Sequence, residues 1–524
     1  MTAPLLVAQI QGQGTVSADN LNTYIQNCTN IEQLRLFIGL PGMCVFIDGT
    51  VTPGDGGAGP FYWNTTAIGP DNNSTVIVPQ PGVAGAWVRL VIAQTSPINV
   101  TNIASLRNFD GGAASPVVWI EGYYTLADGG EGMFVYNPND ITSTDNGGTI
   151  IIDAANHRYY REYGKMPFNI CWFGADVTGV LDSSTALNSA LAALPSGGGQ
   201  IFFPPGQFKF NSAITYTIPS GFFSVSFVGS GADVSTLYWP GSNAITINAS
   251  NQSHSVHFRD LTFSTGSTNG YSCVTINQSV ALGLFEQSDF TRVNFRGQNI
   301  TFFWNPSITI NGLSNVDYNT CFFLSTGNNS LGVSLNGSSS SPFFSIVHNF
   351  TGCGFFGCSD GIFYGNNVQG VTISQTNFTN GNVAITVTCA SGAAQLAISD
   401  SQFNTAQNQI VITSPITGLF VHNNLIYVSN NNSGIYFLPS SSGNQATISG
   451  NTFSGATLTN NGISFNGSAG SFSSALITGN VFNNLENAVN LAGAVSSNVQ
   501  ANLYPSCTNT VVNIGSNSVG VATQ

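Results

Sequence analysis

The sequence is poor in charged residues. Only 6% of its 524 residues are Asp, Glu, Lys or Arg, whereas soluble domains usually carry about 25%. The deficit is greatest after Arg296, because residues 297–524 contain four acids and no Lys or Arg. Such a surface cannot neutralise phosphates, and no polybasic run is present to hold an anionic membrane. We therefore expect no nucleic-acid binding, and favour a partner recognised through hydrogen bonds and stacking.

Targeting and metal-binding signals are also missing. No apolar run reaches the roughly 18 residues of a membrane span, so membrane insertion is not expected. The stretch MTAPLLVAQIQG lacks the basic start and long apolar core of a signal peptide, which predicts synthesis in a cytoplasm. The nine cysteines show no CxxC pair and no zinc-like His spacing. We expect no cofactor, and interpret the cysteines near Phe and Gly, Cys321, Cys353, Cys358 and Cys389, as small buried hydrophobes.

Turn-forming and apolar residues are abundant instead. Hydrophobic residues make up 42% of the chain, and 59 glycines accompany many Ser, Thr and Asn residues. The turn formers are too numerous for a helical protein, and the evenly spread Phe, Val, Ile and Leu argue against disorder. The composition predicts an all-β protein with large cores.

One stretch of eleven residues occurs twice. GDGGAGPFYWN at 54–64 returns as ADGGEGMFVYN at 127–137, and TNIEQLRLF at 29–37 returns as TNIASLRNF at 101–109. The GDGG stretch lacks the Lys of a phosphate-binding loop and precedes a strand, so we interpret it as a turn.

The repeats define two tandem modules of about 62 residues, at 29–90 and 101–163. Within each, Leu and Phe spaced by three predict a short helix, and alternating runs beside the turn predict a hairpin or small sheet. The modules are therefore expected to be small α+β units.

A different pattern begins after Lys165. Ala186, Leu187, Ala190 and Leu191 share one face of a predicted helix at 183–194, which Asp182 or Ser183 can cap. A strand then follows Phe203-Pro-Pro-Gly.

These residues carry a resemblance. Phe173-Gly-Ala-Asp, Asp182 before an Ala-rich helix, and Phe203-Pro-Pro-Gly resemble the entrance of pectate-lyase-like right-handed β-helices, in particular bacteriophage tailspike and tail-fibre proteins. The resemblance covers roughly residues 170–505. It implies a right-handed parallel β-helix, whose entrance the helix at 183–194 would cap.

The remaining sequence agrees with a solenoid. A short polar stretch ending in an aromatic or aliphatic residue recurs nine times over 241 residues, a mean period near 27. A period of 20 to 50 residues is typical of repeat architectures. We interpret the ends of these stretches as inward-facing residues of successive coils: Phe263, Phe295, Phe322, Phe355, Phe378, Phe403, Ile426, Phe453, Phe482 and Tyr504.

The predicted organisation has four parts. Residues 1–165 form a virion-attachment region containing the two modules, 166–212 the capping helix and entry strand, 213–505 the β-helix, and 506–524 a short C-terminal tail. As the resemblance implies, we expect a homotrimer in the phage tail that contacts other virion proteins through residues 1–165.

Two functions stay open. The first is a tailspike that binds, and in one version depolymerises, a bacterial surface polysaccharide during host adsorption. The second is a non-enzymatic structural fibre or receptor-binding protein of the virion. Whether the chain is an enzyme is undecided, with a glycoside hydrolase favoured over a lyase.

Candidate site residues concentrate in one stretch. A glycosidase needs two carboxyl groups about 5 to 9.5 Å apart, and Glu286, Asp289 and Asp317 are the candidates. Asp289 precedes Phe295 by six residues and Asp317 precedes Phe322 by five, so the two are expected in nearly the same phase of successive coils. A calcium ion beside Asp289 and Asp317 is an open alternative, although the sequence shows no recognisable calcium-binding loop.

The same stretch supplies candidate substrate-binding residues. Arg292, Arg296 and Tyr318 are the nearest set for a lyase, which would need a base near a sugar carboxylate. Trp304 is interpreted as a sugar-stacking platform or a core residue. His254 and His257 flank a predicted strand and are interpreted as a structural pair.

Overall fold

The fold is taken from a computed structural model. It describes residues 26–40, 43–66, 70–79, 84–89, 97–112, 115–249, 254–278, 287–326, 330–337, 345–389, 394–429, 431–438, 443, 445–466, 474–492 and 496–513. The chain divides into two compact units, Met1–Pro97 and Ile98–Gln524. This division does not test the predicted boundary at residue 165, which stays a prediction.

The first unit contains one module with a five-stranded sheet among its described residues. Helix α1, Ile31–Leu34, begins where the Asn30 side chain accepts a hydrogen bond from Gln33 N at 2.9 Å. The first two strands are parallel and the others antiparallel. The strands are Gln26–Cys28, Cys44–Ile47, Gly59–Asn64, Val76–Ile77 and Ala86–Arg89.

The second module repeats this arrangement. Helix α2, Ile103–Arg107, is capped by the Asn102 side chain, which accepts from Ser105 N at 2.8 Å. The pairing directions match those of the first module. The strands are Ile98–Val100, Val117–Ile120, Gly132–Tyr136, Ile150–Ile152 and Arg158–Arg161. The predicted duplication and the α+β character of both modules are confirmed.

The repeated DGG stretch forms a turn, as predicted. Gly56 and Gly129 adopt φ of 84° and 90°, a region that favours glycine. The Asp55 carboxylate accepts hydrogen bonds from four backbone N–H groups, and Asp128 accepts four in the same way. The aspartate thus holds the loop closed, which explains its presence in both copies.

A buried arginine completes the second module. Arg161 donates to the carbonyls of Gly130 and Glu131, both at 2.8 Å, and its guanidinium carbon lies 4.6 Å from the Phe134 ring centroid. It also lies 5.1 Å from the ring of Trp172, at the entrance of the β-helix. Burial lowers the pKa of Arg161 to about 10. The second module and the β-helix entrance therefore share a contact.

The β-helix begins with a helical segment. A 3₁₀ turn, Ile170–Phe173, precedes helix α3, Ser184–Ala192. The predicted face of Ala186, Leu187, Ala190 and Leu191 is buried against the core. Asp182 accepts from Ser184 N at 3.0 Å, whereas the Ser183 side chain makes no capping hydrogen bond.

Parallel strands form the body of the β-helix. Among the described residues, a 23-stranded sheet and a 12-stranded sheet run along it. The first sheet contains Phe168–Asn169, Thr178–Asp182, Gly198–Phe203, Gly206–Lys209, Phe223–Gly229, Ser235–Trp239, His254–Thr265, Ser288–Gly297, Val316–Asn319, Phe322–Leu324, Ser345–Thr351, Gly354–Phe356, Val368–Ser374, Asn377–Thr379, Gln395–Ser399, Gln402–Asn404, Gly418–His422, Leu425–Val428, Ala446–Ser449, Thr452–Gly455, Ala475–Thr478, Val481–Asn483 and Ser497–Gln500. The second contains Ile214–Thr217, Ile245–Ala249, Val274–Gln278, Ile308–Asn311, Leu331–Asn336, Asp360–Tyr364, Val383–Val387, Ile410–Ile412, Ser433–Phe437, Asn461–Phe465, Asn487–Asn490 and Asn509–Val512. The predicted all-β, parallel β-helix fold is confirmed.

From His254–Thr265 onward, ten successive coils of the larger sheet bend at a residue with positive φ. In every case this residue lies three positions before the inward aromatic or aliphatic residue, so the bends form a column. Asp260 and Asp400 are two of them. The column is Asp260, Arg292, Thr320, Gly352, Gln375, Asp400, Asn423, Gly450, Gly479 and Ala501.

Inward rings stack from coil to coil, with one correction to the predicted set. Phe295 pairs with Phe323, not Phe322, and the ring centroids are 5.1 Å apart. Phe323 in turn stacks on Phe355 at 4.5 Å. Because the bend at Thr320 fixes the phase, Cys321 and Phe323 face the core and Phe322 faces outward. The prediction of Phe322 as an inward residue was wrong by one position.

Buried polar ladders follow the bends. Asn451 Nδ2 donates to Asn480 Oδ1 at 2.9 Å, and Asn424 donates to Asn451 in the same way. Earlier in the column, the thiols of Cys321 and Cys353 occupy the equivalent place and are buried. The interpretation of these cysteines as buried residues is thus confirmed.

Among the residues that the structure describes, none of the helices is both long and apolar enough to cross a bilayer.

The bend column predicts an asymmetry between Thr320 and Gly352. Thr320 is β-branched and adopts φ of 54°, a strained conformation that glycine takes without cost. We expect Thr320→Gly to raise the free energy of unfolding by about 1 kcal/mol. The matched change Gly352→Thr, at φ of 64° with open space beside it, should lower it by a similar amount. Denaturant unfolding measures both, and equal effects of the same sign would contradict the strain argument.

Candidate functional site

The charged side chains of the β-helix gather on the outward face of its early coils. Arg292 donates to both Asp260 oxygens, at 2.6 and 2.7 Å. Arg296 donates to Asp233 at 2.8 Å. These pairs bridge neighbouring or next-neighbouring coils, so the two arginines serve the stacking of the coils.

One outward row brings the predicted carboxylates together. The strand registers align His257 with Asp289, Asp289 with Asp317, and Asp317 with Asn349. Asp289 and Asp317 therefore occupy the same phase on one face of adjacent coils, as their spacing suggested. With Phe323 as the inward residue, Asp317 lies six positions before Phe323, just as Asp289 lies six positions before Phe295. Glu286, the third candidate, lies outside the described residues.

Asp289 is the most densely bonded carboxylate of the row. Its oxygens accept from Arg259 Nη2 at 2.5 Å and from Thr291 Oγ1 at 2.6 Å, and His257 Nδ1 lies 2.5 Å away. Burial raises the pKa of the carboxyl, but the hydrogen bonds and the charge of Arg259 outweigh it and hold the pKa well below its usual value. Asp289 is therefore ionised at neutral pH and cannot donate a proton there.

Asp317 has only neutral partners among the described residues. Asn349 Nδ2 donates to Oδ1 at 2.9 Å, and Gln287 Nε2 donates to Oδ2. Of the aligned pair, Asp317 therefore lacks the charged partner that Asp289 has in Arg259.

His257 links Asp289 to a hydroxyl. Its Nε2 lies 3.0 Å from Ser255 Oγ, while Nδ1 faces Asp289. The same Ser255 hydroxyl lies 2.9 Å from Ser224 Oγ in the preceding coil. The strand places His254 on the opposite face, where its side chain is buried, while Ser255 and His257 lie on the outward side. The sequence signal was the alternation S-x-H, which puts a hydroxyl and an imidazole on one face of a strand.

Two predicted substrate-binding residues lie in the core. Trp304 is fully buried, and its Nε1 donates to the carbonyl of Phe263 at 3.2 Å. Tyr318 is fully buried and stacks on Phe350, with ring centroids 4.1 Å apart. Neither ring can reach a sugar at the surface, so both are left out of the candidate site.

An exposed aromatic groove lies beside the charged row. The Phe322 ring is 39% exposed and lies over Gly354, where a Cβ atom would approach the ring to 2.9 Å. A shallow groove of about 550 Å³ surrounds it, lined by apolar residues that include Phe356 and by amide and hydroxyl side chains. These are Asn294, Thr320, Asn377, Thr379 and Gln402. The sequence interpretation missed this groove because it assigned Phe322 to the core.

Within the described ranges, no three His, Cys, Asp or Glu side chains stand close enough to hold a metal ion.

The bonding of Asp289 predicts a pH-dependent stability. Because its folded-state pKa is depressed, its contribution is present above the unfolded-state pKa of about 3.9 and is lost as the pH falls toward the folded value. We expect Asp289→Asn to lower the free energy of unfolding by about 2 kcal/mol at pH 7. The difference from wild type should shrink below about pH 4. Asp317→Asn, with its neutral partners, is the control in denaturant titrations and should cost less than half as much. A pH-independent difference would contradict the charge argument.

The sequence matches one family model twice. Residues 27–92 and 99–164 each match the phage tail protein small four-stranded beta-sheet domain. These ranges coincide with the two modules. No curated protein sequence matches the chain.

Solved structures share the fold at low identity. The tailspike gp42 of Acinetobacter phage vb_AbaP_AS12 is 12% identical, with a TM-score of 0.50 over 81% of this chain and 77% of its own. The tailspike gp49 of Acinetobacter baumannii bacteriophage Fri1, described as a capsular polysaccharide depolymerase, is 14% identical, with a TM-score of 0.50 over 79% and 76%. The enzymatically active domain of tailspike protein 2 from bacteriophage CBA120 is 16% identical, with a TM-score of 0.47.

The present chain covers 56% of that CBA120 domain, although 79% of the present chain is aligned. The matched domains and the shared fold confirm the resemblance proposed from the sequence. Residues 27–92 and 99–164 are tandem phage tail small β-sheet domains, and they precede a parallel β-helix with the fold of bacteriophage tailspikes.

Proposed function

We propose that this chain is a tail protein of the virion that binds a bacterial surface polysaccharide on the outward face of its β-helix. The observation that carries the proposal is the exposed Phe322 ring in a groove of neutral polar side chains. Sugar rings stack on aromatic faces and hydrogen-bond to amides and hydroxyls.

The charge distribution supports a glycan over other ligands. Among the described residues of the groove, none is charged, and the arginines nearby already hold aspartates. Nucleic acid would need free cations to replace its counterions. A neutral or weakly acidic polysaccharide needs none.

Attachment to the virion is proposed for the N-terminal part. The two small domains belong to a family described from phage tail proteins, which supports a place in the tail. We assign them to contacts with other virion proteins, and we assign synthesis to the host cytoplasm.

Glycosidic cleavage is a second candidate. The alignment of Asp289 with Asp317 favours it, because neighbouring coils stack about 4.8 Å apart and hydrolysis needs two nearby carboxyl groups. Asp289 would be the ionised partner and Asp317 the acid. A lyase is less well supported, since Arg292 and Arg296 are paired and Tyr318 is buried. A purely structural fibre would need neither the groove nor the carboxylates.

Binding is tested with Phe322→Ala. We expect the variant to bind polysaccharide from a strain that the virion adsorbs to about tenfold more weakly, since a stacking contact of about 1–1.5 kcal/mol is lost. The matched control is Phe222→Ala, which removes an equally large exposed ring outside the groove. Affinity electrophoresis in the polysaccharide measures both. Equal retardation of wild type and Phe322→Ala would reject the groove as the binding surface.

Cleavage is tested by looking for defined fragments of the same polysaccharide. If the aligned carboxylates are catalytic, wild type releases oligosaccharides and Asp317→Asn releases none, while its thermal stability is retained. Release by the variant at the wild-type rate would move the site elsewhere, and no release by wild type would leave a non-enzymatic receptor-binding protein.

A homotrimer is also proposed. The surface after Arg296 carries very few charges to keep neighbouring chains apart. Sedimentation equilibrium at micromolar concentration should give three times the mass of one chain. A stable monomer would contradict this.

A further inference from the structure

We propose that Ser255, His257 and Asp289 form a nucleophilic triad that hydrolyses carboxylic esters, with O-acyl groups on the surface polysaccharide as substrate. The choice of a glycan ester depends on the proposed function, whereas the ester chemistry does not. The proposal gives Asp289 a role different from glycosidic cleavage.

The geometry is a continuous hydrogen-bonded chain. Ser255 Oγ lies 3.0 Å from His257 Nε2, and His257 Nδ1 lies 2.5 Å from Asp289 Oδ1. A serine nucleophile needs this order: a base within reach of its proton, and a third group that orients the base.

The strand architecture fixes the three side chains. Ser255 and His257 are two residues apart on one strand, so both face outward, and the register places Asp289 directly beside His257. Val256 and Phe258, which alternate with them, are buried in the core. The triad is thus held by a rigid sheet instead of a loop.

Arg259 keeps the third member charged. It donates to both oxygens of Asp289, through Nε at 3.0 Å and Nη2 at 2.5 Å. An ionised carboxylate accepts the Nδ1 proton of His257, which leaves Nε2 as the unprotonated nitrogen facing Ser255. Asp289 therefore acts as a positioning residue, and Ser255 and His257 as the catalytic residues.

Both catalytic residues are largely buried. Ser255 is 9% exposed and the His257 side chain 16%. In the resting structure the Ser255 hydroxyl donates to Ser224 Oγ at 2.9 Å, so it must rotate toward His257 Nε2 before its proton can be transferred. A small acyl group fits beside this hydroxyl better than a bulky one.

The reaction proceeds in two balanced steps. Ser255 Oγ bonds to the acyl carbon while its proton passes to His257 Nε2, and the sugar oxygen then leaves and takes that proton. Water next attacks the acyl-serine, gives a proton to His257, and releases the carboxylic acid as the Ser255 hydroxyl regains that proton. Water is the only co-reactant.

The first experiment labels the nucleophile and needs no glycan. The full chain is incubated with a fluorophosphonate, which phosphonylates an activated serine with loss of fluoride, and the modified peptide is identified by mass spectrometry. We expect one label per chain, at Ser255. An unlabelled chain, or a label on other serines only, would overturn the proposal. Because wild-type protein is used, failure of a variant to fold cannot obscure the result.

The second experiment measures hydrolysis of p-nitrophenyl acetate by variants. Ser255→Ala and His257→Gln should reduce kcat/KM by at least about 100-fold. Ser399→Ala, an outward serine on a later coil, is the matched control and should be unaffected. Asp289→Asn should lower kcat with little change in KM, because the change disturbs the tautomer of His257 and leaves the binding of the ester intact. A loss of kcat in Ser399→Ala as large as that in Ser255→Ala, or full activity in Ser255→Ala, would contradict the triad.

The third experiment tests the substrate class. Acetate release from O-acetylated polysaccharide should occur with wild type and vanish with Ser255→Ala. Ester hydrolysis without acetate release would overturn the glycan ester as substrate. Loss of polysaccharide binding with intact labelling of Ser255 would count against the proposed function alone.

Discussion

The stacking of each coil on the next in strict register is the constraint on which the rest of the structure depends. From His254–Thr265 onward, each coil of the larger sheet places a residue in the left-handed region three positions before its inward residue. This repeated bend fixes the direction of every side chain that follows. Rings then stack on rings, as Phe295 does on Phe323, and amides on amides, as Asn451 does on Asn480. Since each coil buries its residues only against its neighbours, the core is a sum of such pairwise contacts.

The same register arranges the surface. Outward residues of successive coils form straight rows, so side chains some thirty positions apart in sequence become neighbours. His257, Asp289 and Asp317 meet in this way, and Asn294 meets Phe322. A few charged residues in the early coils are thereby brought together on the outward surface.

Much of the fold was predictable from the sequence, because it repeats. The duplicated modules, the capping helix and the coil period each leave several matching residues, and the structure has them where expected. The phase within a coil was harder. Positive φ falls on Thr320, Gln375 and Ala501 as well as on glycine and asparagine, so the bend has no fixed residue type. A shift of one position reverses which side chain faces inward, and this is why Phe322 was assigned to the core.

The site was less predictable than the fold. The spacing of Asp289 and Asp317 from the inward residues was enough to align them, since it follows the coil period. The bonds of Asp289 to Arg259 and His257 depend on side-chain directions that a period does not give. Burial of Trp304 depends on the path of a turn between coils, which leaves no repeat in the sequence.

The central claim is that the outward face of the early coils receives the polysaccharide. Hydrogen–deuterium exchange of the full chain, with and without polysaccharide from a strain that the virion adsorbs to, tests it most directly. The account predicts slower exchange in residues 287–326 and 345–379, with exchange in 445–466 and 474–492 unchanged. Protection confined to the late coils, or to the two small domains, would contradict it.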